Sequence, residues 1–334
     1  GLGTLSRKVT TASPEAQRYF DQGLAFLYAF NHDEAIRSFQ RAGELDPKCA
    51  MAFWGVAVAN GPHINNPVVP EDRAKAAWEA LKRAQAAAAG ASPVEQALIE
   101  ALASRYALPQ PEDRKPLEQA YADAMRKVWR AYPRDADVGA LFAESLADLR
   151  PWDLWMPDGK PQPGTEDLVA TLESVLALDP RHPLANHLMI HAVEASPHPE
   201  RADAAADALR DLQPGLGHMV HMPSHIDVRR GRWQQAIEAN AKAIEADRRY
   251  AARAPEPGFY RLYMSHNHHM LAYGAMMTGQ SALAVATIRE MVDAIPLAFY
   301  AANPWADGFK AMPLEVLMRF GRWDEILAEP AFPD

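Results

Sequence analysis

Between residues 19 and 47, small, large and helix-breaking residues recur at a fixed helical stride. Tyr19, Gly23 and Phe26 are spaced by four and three; after a gap, Ala35, Phe39 and Ala42 repeat that spacing, and Pro47 follows. Residues three and four apart share one face of a helix, so the segment reads as two helices joined by a turn. Gly23 and Ala35 are small where two antiparallel helices approach closely, Phe39 is large enough to fill the gap between them, and Pro47 ends the second helix. The remainder of the chain keeps this style, with Ala-, Leu- and Glu-rich segments of about 12–16 residues punctuated by Pro or Gly. Alternating β-branched runs are almost absent. The expected class is all-α.

Weaker copies of the pattern follow. Ala202, Leu209 and Pro214 match one, Gly231, Ala236 and Ala243 the next, and Gly279, Ala284 and Pro296 a third. Gly231-Arg232-Trp233 and Gly321-Arg322-Trp323 each open a second helix. The spacing resembles the tetratricopeptide repeat (TPR), a helix–turn–helix unit of about 34 residues that stacks into a right-handed superhelix. That resemblance implies a single α-solenoid over 1–334, with degenerate repeats at roughly 65–180 and a His-rich portion at roughly 181–296. Pro-containing connections are expected at 107–116 and 150–165, with 151–159 an ordered loop.

Histidines are the second constraint. Ten of the 12 lie between His182 and His269. His187 and His191 are spaced to share a helix face, as are His218, His221 and His225, and then His266 and His269. His187 precedes His221 by 34 residues, and His191 precedes His225 by the same distance, one repeat period. Pro223 interrupts the second group, so the helix there is expected to kink or start late. His268 is expected to point away from its neighbours, and His182 and His198, both flanked by prolines, to lie in loops.

In the TPR frame the seven positions His187, His191, His218, His221, His225, His266 and His269 fall where a first helix lines the concave groove. The resemblance therefore implies that helices roughly 8–10 Å apart direct them into one hollow. Crowded imidazoles repel when protonated and so stay neutral, and neutral imidazole ligates Zn, Cu, Fe or Ni. Seven exceeds the four ligands of a tetrahedral ion, so two or more ions are expected. Carboxylates nearby are few, which disfavours Mg and Ca, and Met189, Met219, Met222 and Met264 lean the choice to copper, with zinc second.

Around this set, Glu194 is the candidate proton shuttle and Tyr273 a candidate donor. His63, Trp152 and Trp155 are candidate walls of a substrate site. The expected function is a metal-dependent enzyme, an oxidoreductase acting on a small organic molecule or peptide in the groove, ahead of zinc-assisted hydrolysis. The alternatives are a non-catalytic peptide-binding scaffold and a metal storage or delivery protein. The wider chain resembles a group of bacterial TPR proteins through Asp179–Pro197, His218–Ile226, His266-Asn267 and His269. That resemblance implies the fold, the site and export, but no reaction.

Composition closes other routes. Lys and Arg number 34 against 43 Asp and Glu, a formal charge of −9, opposite to the basic footprint of a nucleic-acid binder. No apolar run reaches the roughly 20 residues of a membrane span. A lone cysteine, Cys49, excludes an internal disulfide and cysteine-rich metal sites, and reads as a small buried residue. The chain starts at Gly1 without a signal segment and is read as a processed or trimmed form lacking its targeting sequence. Phosphate-binding glycine loops, nucleophile elbows and H-E-x-x-H are absent.

Overall fold

Phe39 sets the packing of the first three helices, α1 (Pro14–Tyr28), α2 (His32–Leu45) and α3 (Ala50–Ala59). A Cβ on Gly23 of α1 or on Gly55 of α3 would stand 2.6 Å from the Phe39 ring, so the ring rests against two bare backbones. Phe20 adds a tilted ring at 5.4 Å. Side-chain caps start the pair: Ser13 accepts from the Ala16 amide and Asn31 from the Glu34 amide. Gly55→Ala is expected to destabilise the chain by roughly 1–3 kcal/mol, because the new methyl enters a filled contact. Urea unfolding of the variant against the parent measures this.

The computed structural model describes residues 1–330, and among them there is no strand, only the isolated bridges His63–Asn66 and Trp155–Pro161. The chain divides after Gln213 into two units. Unit 1 continues with α4 (Glu71–Ala87), α5 (Pro93–Ala103), α6 (Lys115–Ala131), α7 (Ala136–Ala147), α8 (Thr165–Leu178), α9 (Pro183–Val193) and α10 (Asp203–Leu209). Neighbours in sequence pack as helix pairs: α1 on α2, α3 on α4, α5 on α6, α7 on α8 and α9 on α10.

Within unit 1 the array curves until α9 meets α1. Asp137, at the start of α7, fastens that closure. It accepts from Tyr28 Oη at 2.6 Å and Arg7 Nη1 at 2.9 Å, and lies 3.2 Å from His182 Nε2. Burial alone would raise the Asp137 carboxyl, but His182, Arg7 and Tyr28 hold it well below the usual range. His182 therefore stands just outside α9 as its buried cap, its Nδ1 accepting from the Ala185 amide.

Residues 148–164 form a hydrogen-bonded connection between α7 and α8. Met156 and Gln162 amides donate to Lys160 and Leu154 carbonyls, and Trp155 Nε1 donates to the Ala192 carbonyl of α9 at 2.7 Å. Cys49 is fully buried, and burial pushes its thiol up to about 11, so it is a packed residue rather than a nucleophile.

Unit 2 comprises α11 (Gly217–His221), α12 (Pro223–Arg229), α13 (Trp233–Ala251), α14 (Arg261–Met277), α15 (Ser281–Asp293), α16 (Leu297–Ala302), α17 (Gly308–Arg319) and α18 (Trp323–Ala328). Pro223 separates α11 from α12 and occupies the first turn of the latter, where a missing N–H costs nothing. Both Gly-Arg-Trp segments open helices, α13 and α18, with Gly231 and Gly321 at φ +71° and +65°. The core of this unit gathers Ile237, Ile244, Leu271, Ile288 and Met291 from α13, α14 and α15. Among the described residues, no helix is long and apolar enough to cross a membrane.

Candidate metal centre

In unit 2, three histidines from three helices bring their Nε2 atoms together. His221 ends α11, His225 sits one turn on in α12, and His266 comes from the second turn of α14. His225 Nε2 lies 2.9 Å from His221 Nε2 and 3.5 Å from His266 Nε2. One ligand atom from each falls within 4.8 Å of the others. Nitrogens bound tetrahedrally at 2.0–2.1 Å stand about 3.3 Å apart, so these separations suit a shared ion with one position left open.

The neighbours fix which nitrogen faces inward. Asn240 of α13 donates through Nδ2 to the Ala236 carbonyl, which leaves its Oδ1 turned to His221 Nδ1 at 2.7 Å. His221 must then donate from Nδ1, and its Nε2 carries the lone pair. This is the second-layer hydrogen bond that metal-bound histidines commonly make. His266 is pushed down to about 3 by burial first and then by His225 and His269. A neutral ring is the ligating form.

The other sequence candidates of unit 2 flank the triad. His269 lies one turn beyond His266, ring centroids 6.4 Å apart, with burial lowering its pKa. His218 turns its ring onto Tyr263 at 4.3 Å, and its backbone N–H donates to Tyr260 Oη. Tyr273 is partly exposed, with its ring edge-on to Trp233 at 5.8 Å and no hydrogen bond to the triad. His268 points away, donating from Nδ1 to the Met264 carbonyl.

Unit 1 holds the remaining candidates. His187 is fully buried in α9, and its Nδ1 donates to the Tyr28 carbonyl at 2.9 Å; its Nε2 meets His191 Nε2 at 3.1 Å. The Phe30 ring packs on His187 at 4.4 Å and on His63 at 5.0 Å, and His63 stacks on His32 at 4.0 Å. Trp152 stands edge-on to His191 at 5.2 Å. Phe30 and Trp152 are the only non-glycine residues at positive φ among the described residues, +56° and +61°. Both touch histidines, and such strain persists only where surrounding structure enforces it.

Burial holds the His63 imidazole well below its ordinary range, and His32 is likewise held down at about 4. Trp155 is a strut tied to α9 rather than a face toward His191. Glu194 caps α9, half-buried, three residues past His191. His198 is an exposed loop residue near Glu200. Met189, Met219 and Met222 are buried among the apolar core residues.

Sequence reasoning missed Asn240, Phe30 and His32. Asn240 had a signal: it interrupts the apolar face Ala236, Ile237, Ala243, Ile244 of α13 with an amide, and a buried amide needs partners. His32 had none, because its stacking on His63 joins residues 31 positions apart without periodicity.

No family model matches the chain, and no curated protein matches it. Solved structures similar to it include a thermophilic TPR protein of Thermus thermophilus, 14% identical with TM-score 0.37, covering 71% of this chain and 97% of that one. Yeast Tom70 is 14% identical with TM-score 0.38, covering 93% and 67%. The human IFIT1 dimer with m7Gppp-AAAA is 13% identical with TM-score 0.39, covering 95% and 78%. The helix–turn–helix reading rests on the paired helices of the chain itself.

Proposed function

We propose that this chain is a helical-repeat metal-binding protein whose second unit holds a copper or zinc ion on His221, His225 and His266. The observation that carries this reading is the convergence of three imidazole nitrogens, with His225 Nε2 standing 2.9 Å from His221 Nε2 and 3.5 Å from His266 Nε2. The three come from three helices, and His266 stands 41 residues from His225 in the chain, so no single helix face forces the meeting. Asn240 orients His221 and burial keeps His266 unprotonated. An all-nitrogen set disfavours Mg and Ca.

Catalysis is the second reading, and the ligand count favours it. Three protein ligands leave a position for water or substrate, as in catalytic rather than structural sites. A copper ion there would supply redox chemistry with dioxygen, and a zinc ion would lower the pKa of bound water. The substrate class is a small organic molecule or peptide side chain, with copper oxidation ahead of zinc hydrolysis.

Elemental analysis of untagged protein tests the site. The expected result is about one equivalent of copper or zinc per chain attributable to the triad, lost in His225→Ala and in His266→Ala while helical content is kept. Tetrahedral sites reduced to two ligands lose affinity by at least about tenfold to a hundredfold, the loss already seen on removing a supporting second-layer partner. Unchanged stoichiometry in both variants would sink the reading. Metal-free protein that gains none on dialysis against either ion would return the chain to the scaffold alternative.

A further inference from the structure

The buried ion cluster of unit 1 is one positive charge short. Arg105, following α5, is 2% exposed; it donates to Glu118 Oε2 at 2.7 Å, to Asp148 Oδ2 at 2.6 Å and to the Pro62 carbonyl. Arg114 donates to the other oxygen of Glu118 at 2.7 Å. Glu144, one turn before Asp148 at the end of α7, is buried too. Two guanidiniums therefore face three carboxyl groups. In keeping with that deficit, burial pushes Glu144 up to about 7 and Asp148 well above the carboxylate range, against the pull of Arg105.

The deficit opens onto space. Asp148 lines a cavity of about 610 Å³ framed by the segment after α3, the connection between α5 and α6, and the end of α7. Its side chain is 3% exposed, yet its Oδ1 has no hydrogen-bond partner. A buried acceptor left without a donor costs free energy that a ligand could recover. The lining carries five carboxyl groups against two cations, and Pro62, Val69, Leu108 and Leu149 make apolar wall. The volume lies within the range of small-molecule sites.

We propose that this cavity binds a small organic monocation, a primary ammonium on an apolar body, with its –NH3+ donating to Asp148 Oδ1. One ammonium completes the cluster by taking the place of the proton that Asp148 otherwise holds, which is released to solvent on binding. The apolar wall suits a hydrocarbon body better than a hydrated divalent ion, which needs six or more oxygen ligands. The site is independent of the histidine triad, which lies in the other unit.

Calorimetric titration of the full chain with benzylammonium chloride, and separately with benzyl alcohol as its uncharged counterpart, tests the assignment. Saturable binding of one benzylammonium is expected, with benzyl alcohol at least about tenfold weaker. Asp148→Asn should weaken benzylammonium by a similar factor. Because that variant disturbs Arg105 and could fail to fold, Val68→Trp provides a second arm: Val68 is 70% exposed at the cavity rim, and an indole there obstructs entry. A folded Val68→Trp protein should also lose affinity. Absence of saturable binding, equal affinity for the amine and the alcohol, or unchanged affinity in Val68→Trp would each overturn the proposal.

Discussion

Arg105→Ala is expected to destabilise unit 1 by about 3–5 kcal/mol, the cost of removing one partner from a buried charge cluster. The guanidinium is 2% exposed, bonds Glu118 and Asp148, and lies over the Tyr121 ring at 4.7 Å. Its removal leaves Asp148 and Glu144 with no adjacent cation, and Glu118 with Arg114 alone. It also frees the Pro62 carbonyl, which anchors the segment carrying His63. The sign with pH follows from the carboxyls. Without Arg105 the Glu144 and Asp148 carboxyls hold their protons to still higher pH in the fold. The penalty therefore stays level from about pH 4 to 6 and grows only as pH climbs through 7, where Glu144 of the parent begins to ionise. Urea unfolding of parent and variant across that range measures both the size and the slope. A loss below about 1 kcal/mol, or a penalty that shrinks with rising pH, would mean the cluster is not the anchor described.

What could be read from the sequence is what recurs at a constant stride. Gly23 and Phe39 were legible because a small residue and a large one at helical spacing have one way to satisfy each other, and the structure seats the ring on that glycine. The 34-residue spacing also carried information about the histidines. His187 with His191, and His221 with His225, repeat one contact, with Nε2 atoms 3.1 and 2.9 Å apart and each leading histidine held through Nδ1, although the rings meet at 43° in the first pair and 82° in the second. The anchors of those Nδ1 atoms were not legible. One is the Tyr28 carbonyl, 159 residues from His187, and a backbone oxygen leaves no mark in a sequence. The cluster of Arg105, Glu118, Glu144 and Asp148 was equally silent, since charged residues scattered from the end of α5 to the end of α7 look like solvated faces until burial is known. Pro223 was expected to kink the helix or start it late, and α12 does start afresh there, with His221 and His225 still meeting across the break.

Asp247→Asn is expected to remove a pH-dependent loss of stability from unit 2. Asp247 of α13 is 2% exposed, accepts from Asn267 Nδ2 at 2.7 Å and lies 3.4 Å from Tyr260 Oη, with the bare backbone of Gly217 pressed against its carboxyl. Burial raises it to about 7, outweighing the two hydrogen bonds that favour the charged form. A carboxyl whose folded pKa exceeds its unfolded value keeps its proton longer in the folded chain. Its favourable contribution is complete below about pH 4 and is lost as pH rises through 7. Three pH units correspond to about 4 kcal/mol. Asparagine keeps the shape and one acceptor but has nothing to ionise. In chelator-treated protein, which separates this effect from metal binding, the variant should gain on the parent from about pH 4 to about pH 7 and level off above it. The carboxyl stands behind Tyr260, which receives the His218 N–H, and behind Asn267, next to His266, so the same substitution tests how firmly α11 and α14 are held beside the triad. A parent-minus-variant difference that stays flat over this range would show that Asp247 is ionised in the fold, and the account of this buried contact would fail.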